Sequence, residues 1–420
     1  MSARKIKAPR GTFDVLGEQA RARESLEACA KELLERTGYE RIETPVLEDT
    51  ELFLLGVGES TDIVRKEMFT LQDAGGRSLT LRPEGTAPVC RAYVEHGMHK
   101  RRQPVKLWYL SSFFRHERAQ AGRYRQFWQV GAETIGSDDP AVDAEAILLL
   151  SALLSRLGVK ATTLRLSSLG SVDARAVYRE RLQAYLREHE GELSPDVRSR
   201  IELNPLRAFD AKDAATQHAM KNAPRLLDHL SGEDAEHFAQ VRALLDEAGV
   251  GYEIDGTLVR GLDYYTRTVF EFTSGALGAQ SGVAGGGRYD GLVQRLGGPP
   301  APGMGWAAGI ERILLAGEHT ADTGSAPQLF VALADGERSS RRRSAFLLLS
   351  KALSAGLCAQ MELSDRSLKG QLGHAAALGA RFVAIVDTDE AVLRDMEQGS
   401  QQQLQSDAVV QAVLGALRDA

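Results

Sequence analysis

The chain has 420 residues, 43% hydrophobic and 26% charged, with a formal net charge of −6 at pH 7. That length calls for two or three domains, and the composition is that of a globular protein; the acidic balance excludes bulk attraction to nucleic acid, so any polyanion must meet a local basic patch. The longest apolar run, AEAILLLSALLSRLG, is interrupted and too short to cross a bilayer, while Cys29, Cys90 and Cys358 form no pair or ligand-like spacing, which points to a reducing cytoplasmic setting with no zinc site and no membrane partner.

The N-terminal MSARKIKAPRG is basic but leads into no apolar stretch, so no secretory signal is expected. Residues 18–37 predict an amphipathic helix with Leu26, Ala30, Leu33 and Leu34 on one face and Gly38 as its stop. YERIETPVLEDTELF reads as extended, with Pro45 marking an edge or interface. RSLTLRPEGTAPVCRAYVEHG reads as strand, junction and helix, with Thr86 as N-cap, Pro88 in the first turn and Gly97 at the close. Basic patches are available in HKRRQPVK around Arg101 and RSSRRR around Arg342, although solvated faces usually look the same.

VKLWYLSSFFR and YRQFWQVGAETIG predict a long antiparallel hairpin joined by the polar loop HERAQAGR. Residues 173–250 are helical in period and carry no readable motif. YTRTVFEFTS returns to strand composition, and two glycine clusters follow, AGGGRYDG and GMGWAAG. Glycine weakens a strand unless a ligand or another backbone must approach it closely. GSAPQ reads as a linker; beyond it LFVAL, a helix through Leu348, a strand near Met361, a helix from Ser367, a last strand RFVAIV and a final helix compose a small βα module.

Strand alternation puts Arg125, Phe127, Gln129, Gly131 and Glu133 on one face of the returning hairpin strand. A surface hairpin with solvated charge accounts for such a run by itself. The alternative is a ligand carrying phosphate, a flat ring and a cation, because guanidinium, phenyl and carboxylate match those groups. Glu84 and Thr86 stand at a strand-to-helix junction, where a capping threonine and a solvent-facing glutamate are the ordinary reading. Arg260, Tyr264 and Tyr265 precede a strand, where core packing is equally ordinary. GMGWAA loosely fits a dinucleotide fingerprint but follows GGPPAP rather than an opening strand, and no GxxxxGK[ST] loop occurs. A bound nucleotide would therefore be held by arginines on strands.

Taken together the segments resemble a class II aminoacyl-tRNA synthetase, of the histidyl-tRNA synthetase family. RGTFDVL with ETPVLEDTELF resembles its opening and first motif, FRHERAQAGRYRQFWQ the second, and GMGWAAGIERILL the third. LVRGLDYYTRTVFEF and GGGRYDGLV resemble its two histidine signatures, NPLRAFDAKD falls in its insertion, and DRSLKGQLGHAAALGARFVAIV resembles its C-terminal anticodon-binding module.

The resemblance implies an α+β fold, with an antiparallel sheet flanked by helices, a helical insertion and a C-terminal α/β module. It divides the chain into a catalytic domain (1–172 and 251–322), the insertion (173–250) and an anticodon-binding domain (328–420). It implies ligation of L-histidine to its tRNA through ATP and a histidyl-adenylate, in a homodimer, with Mg2+ on the nucleotide phosphates. By that resemblance Arg115 holds the α-phosphate and the substrate carboxylate, and Arg260 is the catalytic arginine. Arg123 and Arg312 bind the outer phosphates and adenine region, with Phe127 stacking on adenine. Glu84, Gly85, Thr86 and Gln129 form the amino end of the histidine pocket, Glu133 and Tyr265 bracket the imidazole, and Tyr264 and Tyr289 line it. Gln120 is carried over as approaching the tRNA 5′ end. The alternative is a non-catalytic regulatory subunit of ATP phosphoribosyltransferase in histidine biosynthesis, which is expected to lack RGLDYYT and the C-terminal module.

Overall fold

The computed structural model describes residues 6–230, 232–278, 281–317, 326–335, 338–364 and 366–418. The expected linker falls partly outside them, at Gly324 and Ser325. The chain divides into two compact units, Met1–Thr320 and Ala321–Ala420.

The first unit opens with α1 (Glu18–Arg36), whose buried side chains are the Leu26, Ala30, Leu33 and Leu34 stripe that its period predicts. Short strands β1 (Glu40–Arg41) and β2 (Leu47–Asp49) flank Pro45. The stretch read as extended turns helical at Thr50: Asp49 accepts from the Glu51 N–H at 2.9 Å, and α2 (Thr50–Val57) buries Leu52, Phe53 and Val57. β3 (Phe69–Gln72) and β4 (Ser78–Leu81) complete a three-stranded sheet in the order β2-β4-β3. After α3 (Thr86–Glu95) come β5 (Val105–Phe114) and β6 (Gln126–Ile135), paired antiparallel along their whole length as expected.

α4 (Pro140–Arg156) leads to β7 (Thr162–Ser168), a strand the sequence reading lacked. The helical block then holds α5 (Val172–Glu188), α6 (Pro195–Arg198), α7 (Ala214–Met220) and α8 (Gly232–Glu247), joined by 3-10 turns. β8 (Glu253–Ile254), β9 (Thr266–Ser274), β10 (Gly282–Arg288), α9 (Leu292–Arg295), β11 (Gly303–Gly309) and α10 (Ile310–Ala316) follow. The main sheet runs β1-β5-β6-β11-β10-β9-β7-β8, antiparallel throughout except at its two edges.

Alternation decides which face each residue serves. Trp108, Leu110, Val130 and Ala132 enter a core under α1, α4 and α8, whereas Leu107, Tyr109, Phe113 and Ile135 face a second core with α3 and α5–α7. The second face also carries Phe127, Gln129 and Glu133, so the polar positions of β6 sit on the side of α3 and α5–α7.

In the second unit β12 (Leu329–Leu333), α11 (Arg338–Ser354), β13 (Ala359–Met361), α12 (Leu368–Ala377) and β14 (Phe382–Asp387) build a parallel three-stranded core. RFVAIV is not the last strand. β15 (Glu390–Asp395) and β16 (Gln401–Gln405) continue the sheet antiparallel before α13 (Val409–Arg418). Thr388 takes φ +49° in the two-residue turn between β14 and β15, a role usually filled by glycine, and β16 is mostly exposed polar glutamine. Neither leaves the usual sequence signal.

Candidate active site

The hairpin and the strands beside it open on a cavity of about 790 Å³ whose lining includes Arg115, Arg123, Phe127, Gln129, Arg260 and Arg312. Arg115 follows β5, and its Nε donates to the Pro83 carbonyl at 2.8 Å while the guanidinium sits 5.3 Å from the Phe127 ring centre. Arg123 pairs with Glu117 at 3.2 Å in the hairpin loop. Arg260 donates from Nη1 to Glu271 Oε1 at 2.8 Å, and the other oxygen of that carboxylate lies 3.5 Å from Arg165. Burial, reinforced by the neighbouring charge of Arg123, pulls the pKa of Arg312 down. Cations crowded in this way favour an anion between them.

Deeper along the same face of β6 lies Glu133, fully buried. Its Oε1 accepts from the Thr86 hydroxyl at 2.8 Å, and the Tyr289 hydroxyl also bears on the carboxylate. Burial pushes its carboxyl up to about 8. The residue paired with it on β11 is Gly305, where a Cβ would lie 1.7 Å from Oε2. At Gly131 a Cβ would meet the Tyr109 ring at 2.4 Å. The glycine clusters are thus the cost of fitting a carboxylate and large rings against a flat sheet.

Glu84 is also buried, contrary to the solvent-facing reading. It caps α3, accepting from Thr86 N and Ala87 N at 2.9 Å each, and it takes the Tyr264 hydroxyl at 3.1 Å. Burial raises its pKa, and those donors lower it. Thr86 is therefore not the N-cap: Gly85 holds that position, and the threonine hydroxyl turns to Glu133. A side chain at Gly85 would strike Tyr109 at 2.4 Å. Tyr264 packs edge-on against Tyr265 and Tyr289, with ring centres 4.8 and 6.0 Å away. Burial raises the Tyr265 hydroxyl pKa, Arg260 opposes this, and Glu133 and Glu84 add to it, so Tyr265 stands among those three side chains. The buried Tyr289 hydroxyl faces the Glu133 carboxylate. A buried carboxylate and tyrosine hydroxyl inside an aromatic cage suit a flat ligand with its own donor and acceptor.

One residue departs from expectation. Arg125 is not among those lining the cavity, because its side chain lies under Gly11 and reaches the Glu117 carbonyl at 3.4 Å. Gln120, carried over as a tRNA contact, is exposed in a turn with Arg123. Sequence reasoning missed Asp62, Arg165, Arg207 and Glu271 in the lining. Glu271 had a signal, a lone carboxylate inside the apolar run TVFEF; the other three had none that distinguished them from surface charge.

A profile of the family described as histidyl-tRNA synthetase matches residues 11–313. A histidine–tRNA ligase of Desulforudis audaxviator is 47% identical over 416 residues, 97% of this chain and 98% of that one. One from Desulforamulus reducens is 46% identical over 404 residues, 94% of this chain and 96% of the other. The crystal structure of apo histidyl-tRNA synthetase from S. aureus superposes with a TM-score of 0.80 at 34% identity, covering 97% of this chain and 100% of that one.

Proposed function

The chain belongs to the histidyl-tRNA synthetase family, and from that premise we infer that it is a histidine–tRNA ligase with ATP, L-histidine and tRNA as substrates. The observation that carries the site assignment is the shared cavity of Arg115, Arg260, Arg312 and Phe127, with Glu133 further along the same strand face as Gln129.

In the first step a histidine carboxylate oxygen attacks the α-phosphorus of ATP in line. The bond to the bridging oxygen breaks, pyrophosphate leaves with the electron pair, and histidyl-adenylate remains. Two anions must meet, so positive charge at the transition state is the main requirement. Arg115 and Arg260 supply it as planar forks that stay charged. Arg123 and Arg312 hold the outer phosphates, and Phe127 stacks on adenine. Glu84, Gly85, Thr86 and Gln129 surround the amino end. Glu133 and Tyr265 read the two imidazole nitrogens, with Tyr264 and Tyr289 closing the ring pocket. An analogue lacking one nitrogen leaves a buried partner unpaired, at about 1–3 kcal/mol. In the second step a hydroxyl of the terminal ribose attacks the adenylate carbonyl, and AMP departs.

Magnesium fits this site as a companion of the nucleotide. Among the described residues no three His, Cys, Asp or Glu side chains gather as a metal site, and Glu271 and Glu117 are engaged by arginines. The ion would ride on the phosphate oxygens and neutralise part of their charge.

The second unit is read as the anticodon-binding module, and the Gln120 loop as a contact for the tRNA 5′ end. A homodimer through the Pro45 region is supported by exposed Val46, Leu47 and Leu71 on and beside the small sheet. No helix among the described residues is long and apolar enough to cross a membrane. A cytoplasmic location follows from the substrates, and Cys29, Cys90 and Cys358 form no disulfide. RGLDYYT separates this reading from the regulatory-subunit one.

Charging of a tRNA mixture with each labelled amino acid is the direct test, alongside pyrophosphate exchange by Arg260→Ala and Arg115→Ala. Histidine alone should be transferred, and both variants should lose exchange. Wild-type exchange in either variant removes that arginine from the mechanism.

A further inference from the structure

Side chains of the helical insertion grip the segment 263–267, which carries Tyr264 and Tyr265. Arg175 on α5 donates from Nη1 to the Asp263 carbonyl at 3.0 Å and to the Tyr265 carbonyl at 2.9 Å, on either side of Tyr264. Asn204 donates to the Asp263 carboxylate at 3.2 Å. Asp234 on α8 accepts from Arg267 Nε at 3.1 Å, and its other oxygen takes the Ser171 N–H at 2.8 Å.

The backbone they hold is irregular. Arg267 has φ +44°, in the left-handed region that a residue other than glycine seldom enters. The ladder skips here: Gly287 pairs with Val269, and the next residue, Arg288, pairs with Thr266. The bulge frees Arg267 from β10, and its N–H and carbonyl bond Gly170 and Leu169, each at 2.7 Å. Bulges of this kind re-aim side chains beside active sites. Tyr264 and Tyr265 lie just before β9 begins, so sheet pairing does not fix them. The insertion approaches from both sides, α5 packing in the core on the cavity face and α8 in the core on the opposite face.

We propose that the helical insertion is a positioning element of the amino-acid pocket: Arg175 and Asp234, acting through the backbone of residues 263–267, set Tyr264 and Tyr265 against Glu84 and Glu133. This rests on the reading of those tyrosines as pocket residues. Arg175 and Asp234 touch no substrate themselves. Their loss loosens the pocket for histidine while leaving the nucleotide side, built on Arg115, Arg123 and Arg312, in place.

The test is steady-state pyrophosphate exchange by the full-length protein, with histidine and ATP varied separately. Arg175→Ala removes the clamp, and Arg175→Lys retains one donor. Arg267→Gly suits the left-handed φ and deletes the ion pair to Asp234, so it tests the idea even if Arg175→Ala does not fold. Arg175→Ala and Arg267→Gly should each raise the histidine KM about tenfold, equivalent to ~1.4 kcal/mol, with the ATP KM within about twofold of wild type and partial recovery in Arg175→Lys. A purely structural defect would lower the active fraction, and hence kcat, without moving KM. Unchanged histidine KM, or equal rises for both substrates, overturns the proposal. Tyr265→Phe runs in parallel: an unaffected histidine KM there removes the pocket reading itself, whereas a raised one beside an unaffected Arg267→Gly removes only the role of the insertion.

Discussion

Gly305→Ala is the smallest change that should disable histidine recognition. Gly305 on β11 pairs with Glu133 on β6, and its Cβ would lie 1.7 Å from Oε2, 2.6 Å from Cδ and 2.9 Å from the Ala132 carbonyl oxygen. Two of those three atoms belong to the carboxylate, so Glu133 must retreat by roughly 1.5–2 Å to reach ordinary van der Waals separation. That motion breaks the 2.8 Å bond from the Thr86 hydroxyl and carries Oε2 off its position. A 1 Å misplacement of a reacting or orienting group costs about a hundredfold in rate, or ~2.7 kcal/mol. Overpacking costs folding about 1–3 kcal/mol, which a protein of this size tolerates. We therefore expect histidine-dependent pyrophosphate exchange to show kcat/KM for histidine lowered about a hundredfold, with thermal unfolding still cooperative. In a Glu133→Ala background the same methyl should have little further effect, since it has no carboxylate to displace. Full activity in Gly305→Ala would refute the argument that this glycine exists to seat Glu133.

Burial pushes Glu133 up to about 8, so the free pocket is protonated near neutral pH, and with neutral imidazole it shares one proton. Below about 6.5 free histidine must lose a proton to bind, and above about 8 the pocket must regain one, so kcat/KM for histidine should be bell-shaped. Glu133→Gln should remove the alkaline limb, as a pH profile of exchange would reveal. Arg288 and Asp143 are a fully buried ion pair, with Nε donating at 3.3 Å and Nη1 reaching the Ser137 carbonyl at 3.0 Å. Arg288→Met strands the aspartate and should cost about 3–5 kcal/mol in urea unfolding. His237 is held down to about 4 by burial and by the charges of Arg288 and Arg267, so it is neutral when folded. The unfolded chain binds its proton near pH 6.5, so stability should fall as pH drops from there toward 4, and less steeply in His237→Leu, as urea midpoints across that range would show.

Much of this protein is written in short-range pattern. The apolar stripe of α1, the two strands of the hairpin and the polar face of β6 each follow from residues within a few positions of one another. Phe127, Gln129 and Glu133 share a face because a strand repeats every two residues, and the structure puts the first two in the cavity lining. Arg125 obeys the same count but lies one residue before the strand begins, where the alternation no longer holds.

What tertiary structure decided is which distant segments meet. Thr86 stands where a cap is expected, but Glu84 accepts the helix N–H groups instead, and its buried carboxylate also takes the hydroxyl of Tyr264, 180 residues away. The glutamine strand β16 has no alternation of its own and exists through its pairing with β15. Gly305 faces Glu133, and Arg267 turns toward α8, through sheet register and a bulge that no local window contains. Secondary structure answers to torsion preferences and neighbours a turn or a pleat away. A binding site answers to register, burial and charge summed over residues that only the folded chain brings together.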